Sequence, residues 1–255
     1  MITPEIVAVV FIGLVFGSFS TALVYRVPRK QNWAIERSAC TSCRSPLGIA
    51  DLVPIFSWLF SRGKCRHCGK RVSWIYPAIE LCVVLSCLLV YSRMGLSVEA
   101  WFIYFSIPFL MALIVIDFQI MRLPNQLVFI CFVIGFARLV YFSFTGAFTA
   151  AADLFVPYVF GALVYSFIAM ALRHSITFAL GGREALGLGD VKFFSVAGLW
   201  LGLQALPLFF IVTGSMGVLM AIFWRLIFKK KPFPFGPALI SAMFVLLYLQ
   251  GPVLR

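Results

Sequence analysis

Eight long apolar runs constrain the fold of this chain more than any other feature. A helix needs roughly 20 apolar residues to cross the hydrocarbon core of a bilayer. The runs lie at residues 5–25, 77–92, 100–117, 125–143, 153–172, 191–206, 207–228 and 237–254. Apolar residues make up 62% of the chain and charged residues 12%, which is too apolar for a water-soluble core of this size. The sequence therefore predicts an all-α polytopic membrane protein with about eight transmembrane helices.

The basic residues predict how these helices are oriented. Lys and Arg concentrate in the cytoplasmic loops of membrane proteins. Four segments and the span ends beside them hold all 21 Lys and Arg residues except Arg93, Arg138 and Arg255. These segments are 26–76, 118–124, 173–190 and 229–236. We expect them to be cytoplasmic and both termini to be periplasmic, so that the net charge of +12 reflects topology and not nucleic-acid binding.

Only one extramembrane segment is long enough to form a unit of its own. The predicted division is a first transmembrane helix at 1–25, a cytoplasmic loop domain at 26–76, and a membrane-embedded core of about seven helices at 77–255. The loop domain holds four of the seven cysteines, and the core holds the acidic residues that lie at the cytoplasmic interface.

Four of the seven cysteines form two Cys-x-x-Cys pairs in the loop. The pairs are Cys40 with Cys43 and Cys65 with Cys68, and such pairs together complete a tetrahedral zinc site with four thiolates; the 21 residues between them are one more than the usual window of about 15–20. Redox-active thiols and thiols without a metal are the alternatives, whereas disulfides are disfavoured in a reducing cytoplasm. A structural Zn²⁺ would stabilise a loop too small to fold on its own core, with His67 as a solvated neighbour. The other three are expected to pack within apolar runs: Cys82, Cys87 and Cys131.

The nine acidic residues are few enough to consider individually. Six lie at outer span ends or in loops, where a charge is easily hydrated: Glu5, Glu36, Asp51, Glu99, Asp153 and Glu184. Glu80, Asp117 and Asp190 lie instead where spans meet the cytoplasmic interface. Asp117 ends one apolar run, and Asp190 follows Gly187-Leu188-Gly189 immediately before another. Carboxylates at that depth are costly unless they are paired or hydrated, which indicates a functional site.

Position alone leaves three interpretations of the two aspartates open. They form an active site, they cap or border helices, or they line an ion or proton path. Asp190 suits an N-cap, whereas Asp117 at the end of a span opposes the helix dipole. In an active site, two close carboxylates share one proton: the charged one activates water, and the protonated one polarises a peptide carbonyl. No Ser/His/Asp arrangement and no His-Glu-x-x-His motif competes with this pair.

Several further motifs follow one another in a fixed order along the chain. They are Gly17-Ser18-Phe19 with Tyr25-Arg26-Val27-Pro28, Ser57-Trp58-Leu59 with Arg62-Gly63-Lys64-Cys65, Tyr76-Pro77 with Glu80-Leu81, Ile116-Asp117 with Leu123-Pro124, Gly187-Leu188-Gly189-Asp190-Val191-Lys192, and Pro234-Phe235-Gly236-Pro237. With the paired cysteines, this order resembles the type IV prepilin peptidase family over essentially the whole chain. The resemblance implies an aspartic endopeptidase of the bacterial inner membrane, with Asp117 and Asp190 as its catalytic pair.

The resemblance also implies substrates and a second activity. Prepilins and pseudopilins carry a short basic leader that is cut at the cytoplasmic face, just before an apolar helix. Components of pilus or type II secretion assemblies are further expected partners. Family members of this long form also methylate the new N-terminal amine with S-adenosylmethionine, an activity associated with the cysteine loop. Gly63, Lys64 and Glu80 match family positions near that activity.

Two departures from the family pattern bear on these expectations. Asn125 stands where the family often has Asp after Leu-Pro, and it cannot ionise, which leaves Asp117 as the first catalytic aspartate. Leu52-Val53-Pro54 stands where the family usually has Asn-Ile-Pro. That change removes a side-chain hydrogen-bonding group from the loop and concerns the methyl-transfer step, not the peptidase step.

Two other classes of function are alternatives. A non-catalytic membrane scaffold would use its zinc loop to bind components of the secretion machinery. An ion-coupled transporter would have acidic residues near the bilayer midplane and internal repeats, and the sequence has neither. Replacing Asp117 by Asn separates the enzyme from the scaffold, because a scaffold would keep its function.

Overall fold

The computed structural model describes residues 3–145, 151–182, 186–229 and 233–251. These residues form α-helices, short 3₁₀ turns and two isolated β-bridges in the cysteine loop. The α-helices of the described residues are α1 (Pro4–Arg26), α2 (Phe56–Phe60), α3 (Ile75–Met94), α4 (Val98–Ile120), α5 (Asn125–Phe144), α6 (Ala151–Ala179), α7 (Leu188–Leu201), α8 (Leu206–Phe228) and α9 (Gly236–Gln250). The predicted all-α membrane fold is confirmed.

The predicted number of membrane-spanning helices is not confirmed. Within the described parts of the chain, six helices are long and apolar enough to cross a membrane: α1, α3, α4, α5, α6 and α8. Helices α7 and α9 have 14 and 15 residues. At about 1.5 Å per residue they are roughly 21–23 Å long, against a hydrocarbon core of about 30 Å. A helix overlaps each predicted run, but the count of eight spans is not confirmed.

The chain forms two compact units, Met1–Ala112 and Leu113–Arg255. In the first unit, α1 packs along α3 through small residues. A Cβ atom at Gly13 would lie 2.9 Å from the Cα of Val84, and one at Gly17 would lie 2.8 Å from the Cα of Glu80. The two backbones are therefore in direct contact, as small residues allow between membrane helices. This contact sets Glu80 on the face of α3 that meets α1.

In the second unit, α7 is the most enclosed helix and packs against α5, α6 and α9. It crosses α6 at a pair of glycines, since a Cβ atom at Gly198 would lie 2.5 Å from the carbonyl oxygen of Gly161. Helix α7 ends at Gly202, which has φ 77°, a conformation that suits glycine. Pro207 lies in the first turn of α8, where a missing N–H costs nothing. These two residues set the boundary between the two helices.

The C-terminal end of α7 is fixed by polar contacts as well as by packing. Trp200 lies against Gly135 of α5, where even a Cβ atom would come within 2.5 Å of the indole nitrogen. The indole N–H donates to the carbonyl of Cys131 at 3.1 Å. The buried Arg138 donates to the carbonyl of Trp200 at 3.2 Å, and Tyr165 donates to the carbonyl of Gly202 at 3.2 Å. The end of α7 opposite Asp190 is therefore firmly held.

Several expectations about single residues can be compared with the structure. Glu99 is only 3% exposed, so the expectation that it is easily hydrated is wrong. Cys87 and Cys131 are buried as expected, but Cys82 is exposed on α3 and does not pack in the interior. Glu184 and the side chain of Asp153 lie outside the described residues. The division at residues 25 and 76 and the orientation in the membrane stay predictions.

Candidate active site and cysteine cluster

Asp117 lies in the last turn of α4 and is almost completely buried, with 4% relative exposure. Its Oδ2 accepts a hydrogen bond from the backbone N–H of Gly236, the first residue of α9, at 2.9 Å. The start of a helix carries partial positive charge and points its N–H groups outward, which suits a carboxylate oxygen. Asp117, in the last turn of α4, is thus held by the first residue of α9.

Asp190 is the third residue of α7 and is half-buried. Its Oδ2 accepts a hydrogen bond from the backbone N–H of Gly187 at 3.2 Å. Gly187, and not Asp190, is the N-cap residue of α7, and the Asp190 side chain reaches back to it from the first turn. Both aspartates therefore contact a backbone N–H of a glycine at the start of a helix.

The two aspartates lie close enough for their charges to interact. Leu123, in the connection between α4 and α5, contacts Gly236, which binds Asp117, and Gly189, which precedes Asp190. Its Cδ2 is 2.9 Å from the position that a Cβ atom would take at Gly236, and its Cβ is 3.0 Å from the corresponding position at Gly189. The α4–α5 connection, the start of α7 and the start of α9 consequently meet at one point of the second unit.

Two further polar contacts hold the elements around the aspartates. The Nζ of Lys192 donates to the Oδ1 of Asn125 at 3.0 Å, which joins the start of α7 to the start of α5. Arg173 of α6 donates to the carbonyl of Leu186 at 2.7 Å and so holds the turn that precedes α7. The sequence analysis noted the departure at Asn125 but predicted neither contact. Nothing local in the sequence relates α5 or α6 to the start of α7.

The four predicted cysteines come together in the first unit. Their Sγ atoms all lie within 4.8 Å of one another, and those of Cys40 and Cys68 are 4.0 Å apart. A tetrahedral zinc ion with Zn–S bonds of about 2.3 Å holds its sulfurs about 3.8 Å apart, so the donor set fits such an ion. Hydrogen bonds from the backbone N–H groups of Cys43 and Ser42 lower the pKa of the Cys40 thiol to about 6. A thiolate is the form that binds metal.

The two cysteine pairs sit on turns of the same backbone geometry. The carbonyl of Cys40 accepts from the N–H of Arg44, and the carbonyl of Cys65 accepts from the N–H of Gly69, both at 2.9 Å. Arg44 has φ 58° and Gly69 has φ 68°, so both are left-handed. Glycine adopts this conformation without strain, whereas arginine does not. His67 is exposed and lies outside the group of possible metal ligands, as expected.

A cavity of about 630 Å³ lies beside the cysteine cluster in the first unit. Lys64 and Glu80 line it, but Gly63 is not among its lining residues. Gly63 has φ 65° and lies against Trp58, where a Cβ atom would be 3.0 Å from the indole ring. The structure thus brings two of the three predicted methyl-transfer residues to one cavity and assigns the third to the turn beside it.

Glu80 connects α3 to the loop at the edge of this cavity. Its Oε2 accepts a hydrogen bond from the N–H of Ile55 at 2.6 Å. Ile55 has φ 62°, which is rare for a β-branched residue, so the hydrogen bond stabilises a strained turn. Leu52, three residues earlier, is part of the cavity lining. At the position where the resemblance implies Asn, the lining residue of this chain is therefore apolar.

The fold and the site together define a class of protein: a multi-pass helical membrane protein with an aspartate pair at helix ends and a four-cysteine cluster. Two sequence profiles match the chain. The profile of the bacterial peptidase A24 N-terminal domain matches residues 11–94, and that of the type IV leader peptidase family matches residues 104–222.

Individual relatives match the chain over nearly its full length. The chain is 35% identical to a prepilin leader peptidase/N-methyltransferase of Bacillus subtilis (strain 168), over 94% of this chain and 92% of the relative. It is 30% identical to the protein of the same name from Pectobacterium carotovorum subsp. carotovorum, over 89% of this chain and 86% of the relative. No solved structure matches it. The chain belongs to the type IV leader peptidase family, which confirms the predicted family and its class of enzyme, a leader peptidase combined with an N-methyltransferase.

Proposed function

We propose that this enzyme removes the leader of prepilins or pseudopilins, with Asp117 and Asp190 as its catalytic pair. One observation carries the assignment. Two aspartates from distant parts of the chain have interacting charges, and each accepts a hydrogen bond from a glycine N–H at the start of a helix. The names of the relatives support the substrate class, since both are prepilin leader peptidases.

The reaction needs only this pair and a water molecule. The ionised carboxylate takes a proton from water as the water oxygen attacks the carbonyl carbon of the scissile peptide bond. The protonated carboxyl group donates a hydrogen bond to the carbonyl oxygen, where negative charge develops, and the proton taken from water passes from the first carboxyl group to the leaving amine as the C–N bond breaks. The two carboxyl groups titrate as a unit, so these roles belong to the pair. No covalent intermediate forms.

The substrate would reach the pair from the membrane. An apolar helix can stay in the bilayer while the basic leader before it extends to the cytoplasmic interface, where the positive-inside rule puts the loops that flank Asp117 and Asp190. We therefore propose a site at the cytoplasmic face of the bacterial inner membrane, with both termini in the periplasm. Components of pilus or type II secretion assemblies that present the substrate are the expected partners.

The second activity is N-methylation of the newly exposed amine at the cavity beside the cysteine cluster. S-adenosylmethionine supplies a methyl group on a positively charged sulfur. The volume of about 630 Å³ suits a cofactor of that size. Three acidic and seven basic side chains line the cavity together, and both signs of charge are needed for a ligand with an ammonium, a carboxylate and a sulfonium group: Glu36, Asp51, Glu80, Arg26, Arg37, Arg44, Lys64, Arg66, Lys70 and Arg71. We assign Lys64 and Glu80 to ligand binding and Gly63 to the turn that holds Lys64.

Zn²⁺ bound by the four cysteines would act as a structural ion. Cys40 and Cys65 belong to the lining of the same cavity, so the metal centre would form part of its wall. The four thiolates would fill all four ligand positions of a tetrahedral ion, which would leave none for a substrate. The proposed metal therefore shapes the methyl-transfer cavity and takes no part in either reaction.

Intact mass spectrometry of a prepilin incubated with the detergent-purified protein tests the peptidase. We expect Asp117→Asn and Asp190→Asn each to lower the rate of leader removal about 100- to 10,000-fold, the scale of acid–base catalysis. Glu5→Gln is the matched control, because Glu5 is an exposed acid at the start of α1. Both variants should still methylate a prepilin supplied without its leader. Cleavage by Asp117→Asn at the rate of the Glu5→Gln control would refute the assignment.

The methyl-transfer assignment is tested by binding as well as by activity. Lys64→Ala and Glu80→Gln should each weaken equilibrium binding of S-adenosylmethionine and abolish the gain of one methyl group, while leader removal continues at the normal rate. Arg62→Ala is the control, since Arg62 is exposed next to Gly63 and is not a lining residue. Unchanged binding in both lining variants would show that the cofactor binds elsewhere.

A further inference from the structure

The motif Pro234-Phe235-Gly236-Pro237 lies at the point where α9 begins. Gly236 is the first residue of the helix, and the following Pro237 has no N–H. The N–H of Gly236 is therefore the donor available at this position, and it points to the Oδ2 of Asp117 at 2.9 Å. A backbone donor on a packed helix is fixed in place, whereas a side-chain donor can rotate away.

The space around this hydrogen bond is closed on both sides. A Cβ atom at Gly236 would lie 2.8 Å from the Oδ2 of Asp117 and 2.9 Å from the Cδ2 of Leu123. Leu123 is 7% exposed and lies against Gly189, one residue before Asp190. Leu123 is thus an apolar spacer between the start of α9, which holds one aspartate, and the start of α7, which carries the other.

We propose that Gly236 and Leu123 are positioning residues of the peptidase: the N–H of Gly236 fixes the Asp117 carboxylate, and the side chain of Leu123 sets its separation from Asp190. This inference rests on the proposed assignment of the two aspartates to catalysis. Acid–base catalysis requires both carboxyl groups within hydrogen-bond reach of one water molecule and one carbonyl oxygen. A displacement of about 1 Å in such a site costs about 100-fold in rate.

Steady-state cleavage of a prepilin in detergent, measured over a range of pH, tests the proposal. Gly236→Ala keeps the N–H but adds a methyl group 2.8 Å from the Oδ2 of Asp117 and 2.9 Å from the Cδ2 of Leu123. Leu123→Ala removes the spacer without adding an atom. We expect each to lower kcat about 100-fold and to leave KM within twofold, because neither residue is assigned to substrate binding. We also expect each to change the pH dependence of kcat, because the surroundings of Asp117 change.

The control is Gly214→Ala in α8, a helical glycine where an added Cβ atom meets nothing within 4 Å. It should keep the kcat and the pH profile of the unmodified protein. The double variant Gly236→Ala/Leu123→Ala should cleave faster than Gly236→Ala alone, because the shorter side chain at position 123 makes room for the added methyl group.

Each outcome decides the proposal. Variants that lower kcat only in proportion to the folded fraction, with the pH profile of the control, would overturn it, because that is the behaviour of a purely structural residue. If Gly236→Ala does not fold, Leu123→Ala decides alone, since the removal of three carbons introduces no clash. If the unmodified protein does not cleave the prepilin while a B. subtilis relative does, the proposed function fails and not merely the role of Gly236.

Discussion

Arg44→Gly should bind zinc about fivefold more tightly than Arg44→Ala, although neither residue touches the metal. Arg44 and Gly69 occupy equivalent positions in the two cysteine turns, with φ 58° and φ 68°. The second turn has glycine in this left-handed conformation, which glycine adopts without strain, whereas the first turn has arginine. Comparing Gly with Ala at position 44 removes the arginine charge from both variants, so the difference reports the backbone conformation alone.

The magnitude follows from two opposing contributions. The left-handed conformation costs an L-residue about 1–2 kcal/mol, and glycine loses about 0.5–1 kcal/mol more conformational entropy on folding than alanine does. The net preference for glycine is about 1 kcal/mol, which corresponds to about fivefold in a dissociation constant. Gly69→Ala should weaken binding by the same factor, because an added Cβ atom there meets nothing within 4 Å and only the conformational cost remains.

The assay is competition for zinc between the purified full-length protein and a chromophoric chelator. Metal affinity reports the stability of the loop, because the four thiolates are in place only when the loop is folded. Equal affinities of Arg44→Gly and Arg44→Ala would refute the left-handed geometry at position 44. Tighter binding by Arg44→Ala would contradict the reasoning altogether, since it would mean that chain entropy outweighs the strain.

Three other outcomes follow from the same kind of geometry. Gly198→Ala should lower the thermal midpoint and slow leader removal, because its Cβ atom would lie 2.5 Å from the carbonyl oxygen of Gly161. Gly214→Ala should do neither. Differential scanning fluorimetry and the cleavage assay measure the two effects. Chelation of the metal should abolish methyl transfer and leave leader removal intact, as measured by intact mass with and without added zinc. Asp51→Asn should change zinc affinity by no more than about fivefold, since its ion pair with Arg66 at 3.2 Å is partly exposed to solvent and such pairs contribute about 0–1 kcal/mol.

The cysteine cluster was predictable because its geometry is local. Two residues between paired cysteines force a tight turn with both thiols on one side, so spacing alone implied how Cys40 and Cys43 would lie. The strain at Arg44 was not predictable, because a sequence lists residue types and not backbone angles. The aspartates were an intermediate case: their occurrence at span ends followed from hydrophobicity, whereas their mutual approach depends on how α4, α7 and α9 pack.

The contact between Asp117 and Gly236 could not be predicted from the sequence either, because it too depends on how the helices pack. The two residues are 119 positions apart, and no periodic pattern relates the end of α4 to the start of α9. The one available signal was a glycine followed by a proline before an apolar run, which marks a helix start but not its partner. Likewise, the exposure of Cys82 and the burial of Glu99 depend on which face of a uniformly apolar helix meets its neighbours.

The two helices that leave the count of eight spans unconfirmed are also the ones that arrange the aspartates. Helices α7 and α9, the two too short to count as spans, are those whose first turns contact Asp190 and Asp117. Composition alone does not distinguish such helices from spans, because both are largely apolar; the difference lies in their lengths of 14 and 15 residues. Both are largely buried by their neighbours in the second unit. Protein packing, and not lipid, therefore fixes their ends, and a carboxylate held by such a first turn is positioned as firmly as the packing itself.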